Sequence, residues 1–102
     1  MKTYISGPIS SDPDYIKHFS EAESFLLGTG DTPVSPSKLD CAEEGLVTHS
    51  WNYFMRKALQ MLCECEAIYM LEGYEKSRGA RLELSVAKEL DMLIYFEKGE
   101  DL

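Results

Sequence analysis

Apolar positions along the chain alternate between short continuous runs and longer segments in which they recur at helical spacing. The short runs at residues 2–6, 32–36, 66–71 and 92–96 have strand length, and each predicts one β-strand. The run at 66–71 is continuously apolar, which is typical of a strand buried on both faces.

The segment after the first strand predicts an amphipathic helix. Ser11 or Asp12 is the expected N-cap, Pro13 suits the first helical turn, and Gly28 ends the run. The residues expected to form its apolar face are Tyr15, Ile16, Phe19, Ala22, Phe25 and Leu26.

Two further helices are predicted, the second beginning near Ser50 and the third spanning about residues 79–90. Their expected inward-facing residues are Trp51, Phe54, Met55, Ala58, Met61 and Leu62 in the second helix, and Leu82, Val86, Ala87 and Leu90 in the third. Residues 37–49 show no clear period and predict a loop with at most a helical turn. The polar tail at 97–102 is expected to fray.

Strands that alternate with helices predict an α/β fold. We expect a single-domain, three-layer sandwich with a short parallel sheet of four or five strands, flavodoxin- or Rossmann-like, and helices on both faces. The 102 residues are the size of one domain and contain no internal repeat. In such sheets ligands bind beyond the carboxyl ends of the strands, where the strand order reverses. Residues 7–12, 35–39 and 72–79 should therefore converge on one crevice.

Charge and cysteine content narrow the possible functions. The net charge of −8 disfavours nucleic acid polymers and anionic membranes as partners, because both need a basic surface. The sequence has no run near the roughly 20 apolar residues of a membrane span, and its N-terminus lacks the apolar region of a signal peptide. A cytoplasmic protein with Cys41, Cys63 and Cys65 as reduced thiols is expected. No metal site is expected, since His18 and His49 show no paired spacing.

The stretch "EKSRGARLE" carries the most informative polar residues. Ser77 and Gly79 lie where the third helix should begin, and free backbone N–H groups there suit an anion. Glu83 lies about one turn into the helix, whose positive end is expected to help keep it ionised. Such a carboxylate near a crevice can be a nucleophile; equally, it can stabilise the helix and pair with Arg81 or Lys88. Basic residues around it are Lys76, Arg78 and Arg81.

The turn "SGPIS" after the first strand offers hydroxyls at Ser6 and Ser10 around Gly7. Taken alone it also fits a plain strand-to-helix turn, because it lacks the spacing of a glycine-rich phosphate motif. Several aromatic residues near element ends can either stack on a base or pack in the core: Tyr4, Trp51, Tyr69 and Tyr74.

The order "YISGPI", "VSP", "CEAIYMLEGYEKSRGARLE" and a final short β-run resembles the nucleoside 2-deoxyribosyltransferase-like superfamily. Within it the sequence is most similar to the DUF4406 family of small bacterial and phage proteins. The resemblance extends from Lys2 to Phe96 and implies one domain of this type over residues 1–102. It implies cleavage or exchange of the N-glycosidic bond of a nucleoside or nucleoside 5′-monophosphate, without a cofactor.

The resemblance also implies roles for individual residues. In Ser77-x-Gly79-x-x-x-Glu83, the glutamate would be the nucleophile and Ser77 would hold the 5′ group. Tyr4 would orient Glu83, and Gly7 would let the backbone approach the ligand. The full expected substrate-binding set is Ser6, Gly7, Pro8, Ser10, Lys76, Ser77, Arg78 and Gly79.

The sequence departs from the pattern of the characterised enzymes in two places, at Ala58 and in the first loop. Ala58 stands where they carry a catalytic aspartate, and alanine cannot transfer a proton. Pro8 and Ser10 stand where the nucleotide hydrolases carry phosphate-binding Ser and Arg, although Lys76, Arg78 and Ser10 can substitute.

Three functions therefore remain open at the level of sequence. Glu83 and its motif favour a glycosidase or deoxyribosyltransferase, whereas Ala58 favours a nucleotide-binding module without turnover, a sensor or sequestering protein. The third is a scaffold that acts through an oligomer surface. An apolar patch on the second helix predicts a homodimer, or a higher homo-oligomer, which sedimentation at micromolar concentration would test: Trp51, Tyr53, Phe54 and Met55.

Overall fold

The computed structural model describes residues 1–37 and 51–98. Its sheet has four parallel strands in these ranges: β1 (Lys2–Ser6), β2 (Thr32–Val34), β3 (Ala67–Met70) and β4 (Leu93–Phe96). They are arranged in the order β2-β1-β3-β4. The predicted parallel α/β sheet is confirmed, and the strand order reverses between β1 and β3, as in flavodoxin-like folds.

Helices cover both faces of the sheet. α1 (Tyr15–Gly28) packs on one face, and α2 (Trp51–Cys63) and α3 (Arg78–Glu89) pack on the other. A short 3₁₀ turn at Tyr74–Lys76 leads into α3. The predicted three-layer sandwich is therefore confirmed.

Alternation along the central strands divides the core into two halves. Every residue of Ala67–Met70 is buried, as the continuous apolar run predicted. One half contains Tyr4, Ile68 and Met70 against Leu62, Leu84 and Ala87; the other contains Ile5, Tyr69 and Leu71 against Phe19, Ala22 and Leu26. Consecutive residues of β1 thus face different helices, and Ser6 at the end of the strand faces the same side as Tyr4.

The start of α1 differs from the prediction. The helix begins at Tyr15, and Asp14 occupies the N-cap position without a side-chain hydrogen bond. Asp12 instead forms a local turn, in which its Oδ1 accepts from the N–H of Asp14 at 2.9 Å. Its Oδ2 lies 2.6 Å from Nδ1 of His18. The prediction of Ser11 or Asp12 as N-cap is wrong, because the side chain of Asp12 is used before the helix begins.

Some residues predicted to face the core are exposed, and some predicted ends of strands and helices are also wrong. Ile16, Phe25 and Leu90 are 55%, 56% and 54% exposed. Ile16 lies in the first turn of α1, ahead of the buried part of that helix, and Leu90 follows the last residue of α3. Phe25 stacks one side of its ring on Tyr69, with 5.7 Å between centroids, and leaves the other exposed. The last three strands are shorter than predicted, and α3 begins one residue earlier.

Several sequence predictions lie outside the described residues. They include the loop at 37–49 apart from Ser37, the tail beyond Lys98, and both Cys41 and His49. Cys63 and Cys65 are free thiols, and burial raises the pKa of the Cys65 thiol to about 11. Within 1–37 and 51–98, no helix combines the length and apolar character needed to cross a membrane.

Candidate active site

A cavity of about 440 Å³ opens beyond the carboxyl ends of β1 and β3. This is the point at which the strand order reverses, where doubly wound α/β proteins bind ligands. All three stretches expected to converge there contribute to it. Its lining residues are Gly7, Ile9, Ser10 and Ser11 after β1, Pro36 after β2, Trp51, Phe54 and Met55 on α2, and Lys76, Ser77, Arg78, Gly79, Ala80 and Glu83 at the start of α3.

Glu83 is the buried carboxyl group of this cavity, with only 4% of its surface exposed. The hydroxyl of Tyr4 donates to its Oε2 at 2.5 Å, and the hydroxyl of Ser6 donates to its Oε1 at 2.6 Å. Tyr4 and Ser6 alternate with Ile5 on β1, so both point to the same face of the sheet, the face covered by α3. One strand therefore supplies a donor to each oxygen of one carboxyl group.

Burial and hydrogen bonding alter the pKa values of both Glu83 and Tyr4. Burial raises the pKa of Glu83 to about 7, while the hydrogen bonds from Ser6 and Tyr4 oppose that rise. Burial and the nearby Glu83 carboxyl raise the pKa of Tyr4 well above its ordinary value, so its phenol stays protonated. Burial therefore opposes the ionisation of Glu83 that the start of α3 was expected to favour.

The alternative ion-pairing role for Glu83 is also wrong. In the described part of the chain, Glu83 forms no ion pair, and neither Arg81 nor Lys88 approaches a carboxylate closely enough to form one. A buried carboxyl group held only by two hydroxyl groups costs stability, so its presence needs an explanation other than packing.

The start of α3 forms the polar side of the cavity. Ser77 is the N-cap, and its side chain accepts from the N–H of Ala80 at 3.2 Å. Lys76 and Arg78 flank it along the cavity wall. The guanidinium of Arg78 lies 3.8 Å from the ring centre of Trp51, a cation–π contact that joins α3 to the start of α2.

Two glycines give the cavity its shape through packing. A Cβ on Gly7 would lie 2.8 Å from Cβ of Leu71, so only glycine lets the loop after β1 pass the end of β3. A Cβ on Gly79 would lie 3.0 Å from Sδ of Met55, where α3 meets α2. Both glycines also line the cavity.

The structure brings most of the predicted site residues together. Those lining the cavity are Gly7, Ser10, Lys76, Ser77, Arg78, Gly79 and Glu83. Tyr4, Ser6 and Pro8 are buried and do not appear among its lining residues. For Ser6 this differs from the expected contact with substrate, since its hydroxyl is directed at Glu83.

Sequence reasoning missed Ile9, Ser11 and Pro36 as individual site residues, although they fall in the stretches expected to converge. It assigned Phe54 and Met55 to the core and to a dimer contact, and the structure places both on the cavity wall. The available signal was their apolar character at the amino end of α2.

This placement changes the argument for an oligomer. Trp51, Phe54 and Met55 line the cavity, and Tyr53 is half-buried with the ammonium of Lys57 5.7 Å from its ring centre. The apolar surface of α2 thus has an explanation within one chain, and the homodimer remains a prediction.

No group of three or more His, Cys, Asp or Glu side chains in residues 1–37 and 51–98 is placed to hold a metal ion. The donors around the cavity are hydroxyl groups, cations and one carboxyl group, which suit a polar organic ligand more than a metal.

Comparison with known proteins agrees with this architecture. A solved structure of the 2-deoxyribosyltransferase from the psychrotolerant bacterium Bacillus psychrosaccharolyticus is similar over 100% of this chain and 77% of that chain. The TM-score is 0.73 and the sequence identity is 21%, so the two proteins share a fold. A search of curated proteins found no match. The family model described as "Domain of unknown function (DUF4406)" matches residues 1–96, and the chain therefore belongs to that family.

Proposed function

We propose that this protein cleaves or exchanges the N-glycosidic bond of a nucleoside or nucleoside 5′-monophosphate, with Glu83 as the nucleophile. The observation that carries the proposal is the Glu83 carboxyl group, buried at a cavity wall with a hydroxyl donor on each oxygen. The shared fold with a 2-deoxyribosyltransferase supports the same reaction class.

The environment of Glu83 is the kind found at reactive groups. A carboxyl group with a pKa of about 7 ionises within the physiological range, and burial makes its charged form reactive because little water solvates it. The two hydroxyl groups fix the orientation of the Glu83 carboxylate, and unlike a cation they do not neutralise its charge. Placement, acidity and access to the cavity therefore all suit a nucleophile.

The reaction would proceed in two steps. In the first, an oxygen of ionised Glu83 bonds to the anomeric carbon, and the bond from that carbon to the base nitrogen breaks. The electron pair stays on the base, which then takes a proton from solvent. In the second, water or a second base attacks the same carbon and Glu83 leaves as a carboxylate. Two displacements retain the anomeric configuration.

The two sides of the cavity suit the two ends of such a substrate. Trp51, Phe54 and Met55 form an apolar and aromatic side that suits a nucleobase. Lys76, Ser77 and the free N–H groups at the start of α3 suit the 5′ hydroxyl or phosphate. Glu83 lies between one and two helical turns beyond Ser77, on the same wall.

A binding module without turnover is the second candidate, and a specific observation favours it. Glu83 is the one carboxyl group among the described residues that line the cavity, whereas glycosidases use two. Ala58 is fully buried and offers no proton. Glu66 cannot replace the missing acid, because it lies before β3 at the opposite end of the sheet and accepts from the N–H of Lys2 at 2.9 Å.

Release of free base distinguishes the two candidates. The protein is incubated with nucleosides and their 5′-monophosphates, and products are separated by chromatography. The proposal expects base release by the wild type and a loss of at least about 1,000-fold in Glu83→Gln. Glu89→Gln, on the exposed end of the same helix, is the matched control and should retain full activity. Saturable binding without release from any substrate would favour the binding module.

A further inference from the structure

The hydroxyl of Ser6 donates its hydrogen bond to Glu83. It lies 2.6 Å from Oε1, and the side chain of Ser6 is fully buried. A serine hydroxyl has a single hydrogen to donate, and here it points at the carboxyl group. Ser6 is not among the described residues that line the cavity, whereas its partner Glu83 is.

The backbone around Ser6 is equally fixed. Ser6 is the last residue of β1 and is paired with Met70 of β3, and its carbonyl oxygen accepts from the N–H of Leu71 at 2.8 Å. The strand lies in the middle of the sheet, with β2 on its other side. β2 pairs with Lys2–Tyr4 and β3 pairs with Thr3–Ser6, so the backbone that carries the hydroxyl is held within the sheet.

We propose that Ser6 is a positioning residue for Glu83: its hydroxyl fixes the carboxyl group for attack and favours the ionised form, without contacting the substrate. The inference rests on the proposed role of Glu83 as nucleophile. Ser6 and Tyr4 together hold both oxygens, so the carboxyl group cannot rotate about its last torsion without breaking a hydrogen bond.

The same hydrogen bond acts in both steps of the reaction. A donor to a carboxylate stabilises the charged form, so it increases the ionised fraction before attack. In the second step Glu83 leaves as a carboxylate, and the donor again stabilises the departing charge. The pKa of Glu83 supports this view, since the Ser6 hydrogen bond is the larger of the two effects that oppose the rise caused by burial.

The other groups that act on Glu83 stay in place when Ser6 is changed. Tyr4 faces Glu83 from β1, and Lys76 and Arg78 line the same cavity from the start of α3. The described cavity residues of α2 are apolar or aromatic and carry no charge. A change in the titration of Glu83 in a Ser6 variant therefore reports the missing hydroxyl.

The first test is a titration that needs no substrate. The carboxyl band of Glu83 is followed against pH by infrared difference spectroscopy, with Glu83→Gln identifying the band. In Ser6→Ala the midpoint should rise by about one to two units, the effect of losing a hydrogen bond to a charged group. Ser6→Cys retains a weaker donor and should raise the Glu83 midpoint by a smaller amount. It replaces Ser6→Ala in this test if that variant does not fold.

Thr3→Val is the matched control for this titration. Thr3 lies on the same strand and is buried, but its hydroxyl has no hydrogen-bond partner among the described residues. Removing that hydroxyl should leave the midpoint of Glu83 unchanged. An unchanged midpoint in Ser6→Ala, or an equal rise in Thr3→Val, would overturn the proposal.

The second test separates positioning from substrate contact. At pH 7, Ser6→Ala should lower kcat by about fivefold or more, because fewer molecules carry ionised Glu83, and should leave KM within about twofold. Raising the pH should recover part of kcat. A raised KM with an unchanged Glu83 midpoint would mean that Ser6 binds substrate, and would overturn the inference. If no substrate is turned over, the proposed function fails while the titration still decides whether Ser6 controls Glu83.

Discussion

The phenol oxygen of Tyr4 and Oε2 of Glu83 lie 2.5 Å apart, although the two residues are 79 positions apart in sequence. The hydrogen bond joins the central strand of the sheet to the helix that follows β3. Burial and the nearby Glu83 carboxyl raise the pKa of Tyr4, so its phenol stays protonated at neutral pH and donates to the ionised carboxylate. Glu83 is therefore the group of this pair whose protonation changes near neutral pH, and its titration should make the stability of the fold depend on pH.

The first prediction concerns how stability depends on pH. Glu83 has a pKa of about 7 in the folded protein and 4.5 in its ordinary state, so the folded protein binds one more proton between these values. Stability should fall as pH rises through this window. Replacing Glu83 with Gln removes the penalty, and the unfolding free energy of the variant relative to wild type should grow by about 3 kcal/mol from pH 4.5 to above pH 7.

Urea unfolding followed at several pH values measures this difference. Glu89→Gln is the control, since that side chain is exposed at the end of α3. Its difference from wild type should stay nearly flat over the same pH range. A Glu83→Gln curve parallel to that of the wild type would show that Glu83 ionises normally in the folded protein.

Much of the fold could be predicted from the sequence, because the relevant signals are local. The continuous apolar run of β3 and the helical spacing in α1 each reflect burial of one short segment. Their alternation with other elements suffices for a parallel sheet. The position of the cavity followed from the same rule, since ligands of such sheets lie at the carboxyl ends of the strands.

The arrangement inside the site could not be predicted from local signals. That Ser6 faces Glu83 rather than the cavity depends on the register between β1 and α3, which are far apart in sequence. The tight passage of Gly7 past Leu71 depends on the pairing of β1 with β3. Contacts between distant segments decide both of these cases. The N-cap prediction for α1 was wrong for a local reason, because the side chain of Asp12 had competing partners in Asp14 and His18.

The second prediction concerns Gly7. In Gly7→Ala the new Cβ would lie 2.8 Å from Cβ of Leu71, and a Cβ contact cannot be relieved by rotating the leucine side chain. Backbone must move instead, so we expect destabilisation by about 1–3 kcal/mol, together with weaker ligand binding as the loop shifts. Thermal or urea unfolding measures the first effect.

Gly28→Ala provides the comparison for Gly7→Ala. A Cβ at Gly28, the last residue of α1, would meet no described atom within 4 Å. Its stability should change by no more than about 1 kcal/mol, in the stabilising direction, because alanine favours helix. Equal effects at the two glycines would contradict the packing argument.

The third prediction concerns Thr3, whose buried hydroxyl lacks a hydrogen-bond partner among the described residues. Valine has nearly the same shape and no polar atom to desolvate. Thr3→Val should therefore stabilise the protein by about 1 kcal/mol. The exposed strand residue Thr32 gives a control, since Thr32→Val should change stability by less than about 0.5 kcal/mol. Destabilisation by Thr3→Val would show that the hydroxyl has an unseen partner.

The fourth prediction asks whether the site recognises a phosphate. Lys76 lines the cavity and forms no ion pair within residues 1–37 and 51–98, whereas Arg78 is stacked on Trp51. Lys76→Met keeps most of the apolar stem and removes the charge. If Lys76 holds a 5′-phosphate, affinity for nucleoside 5′-monophosphates should fall about tenfold or more, and affinity for the corresponding nucleosides should stay unchanged.

Calorimetry with matched nucleoside and nucleotide pairs measures this discrimination. Lys57→Met is the control, because Lys57 lies over the ring of Tyr53 and does not line the cavity. The preference of the wild type for the nucleotide should also decline with added salt, as expected for an exposed cation. Equal loss for both ligand types would place Lys76 near the sugar or base, and no loss for either would assign the 5′ end to Ser77 and the helix N-terminus alone.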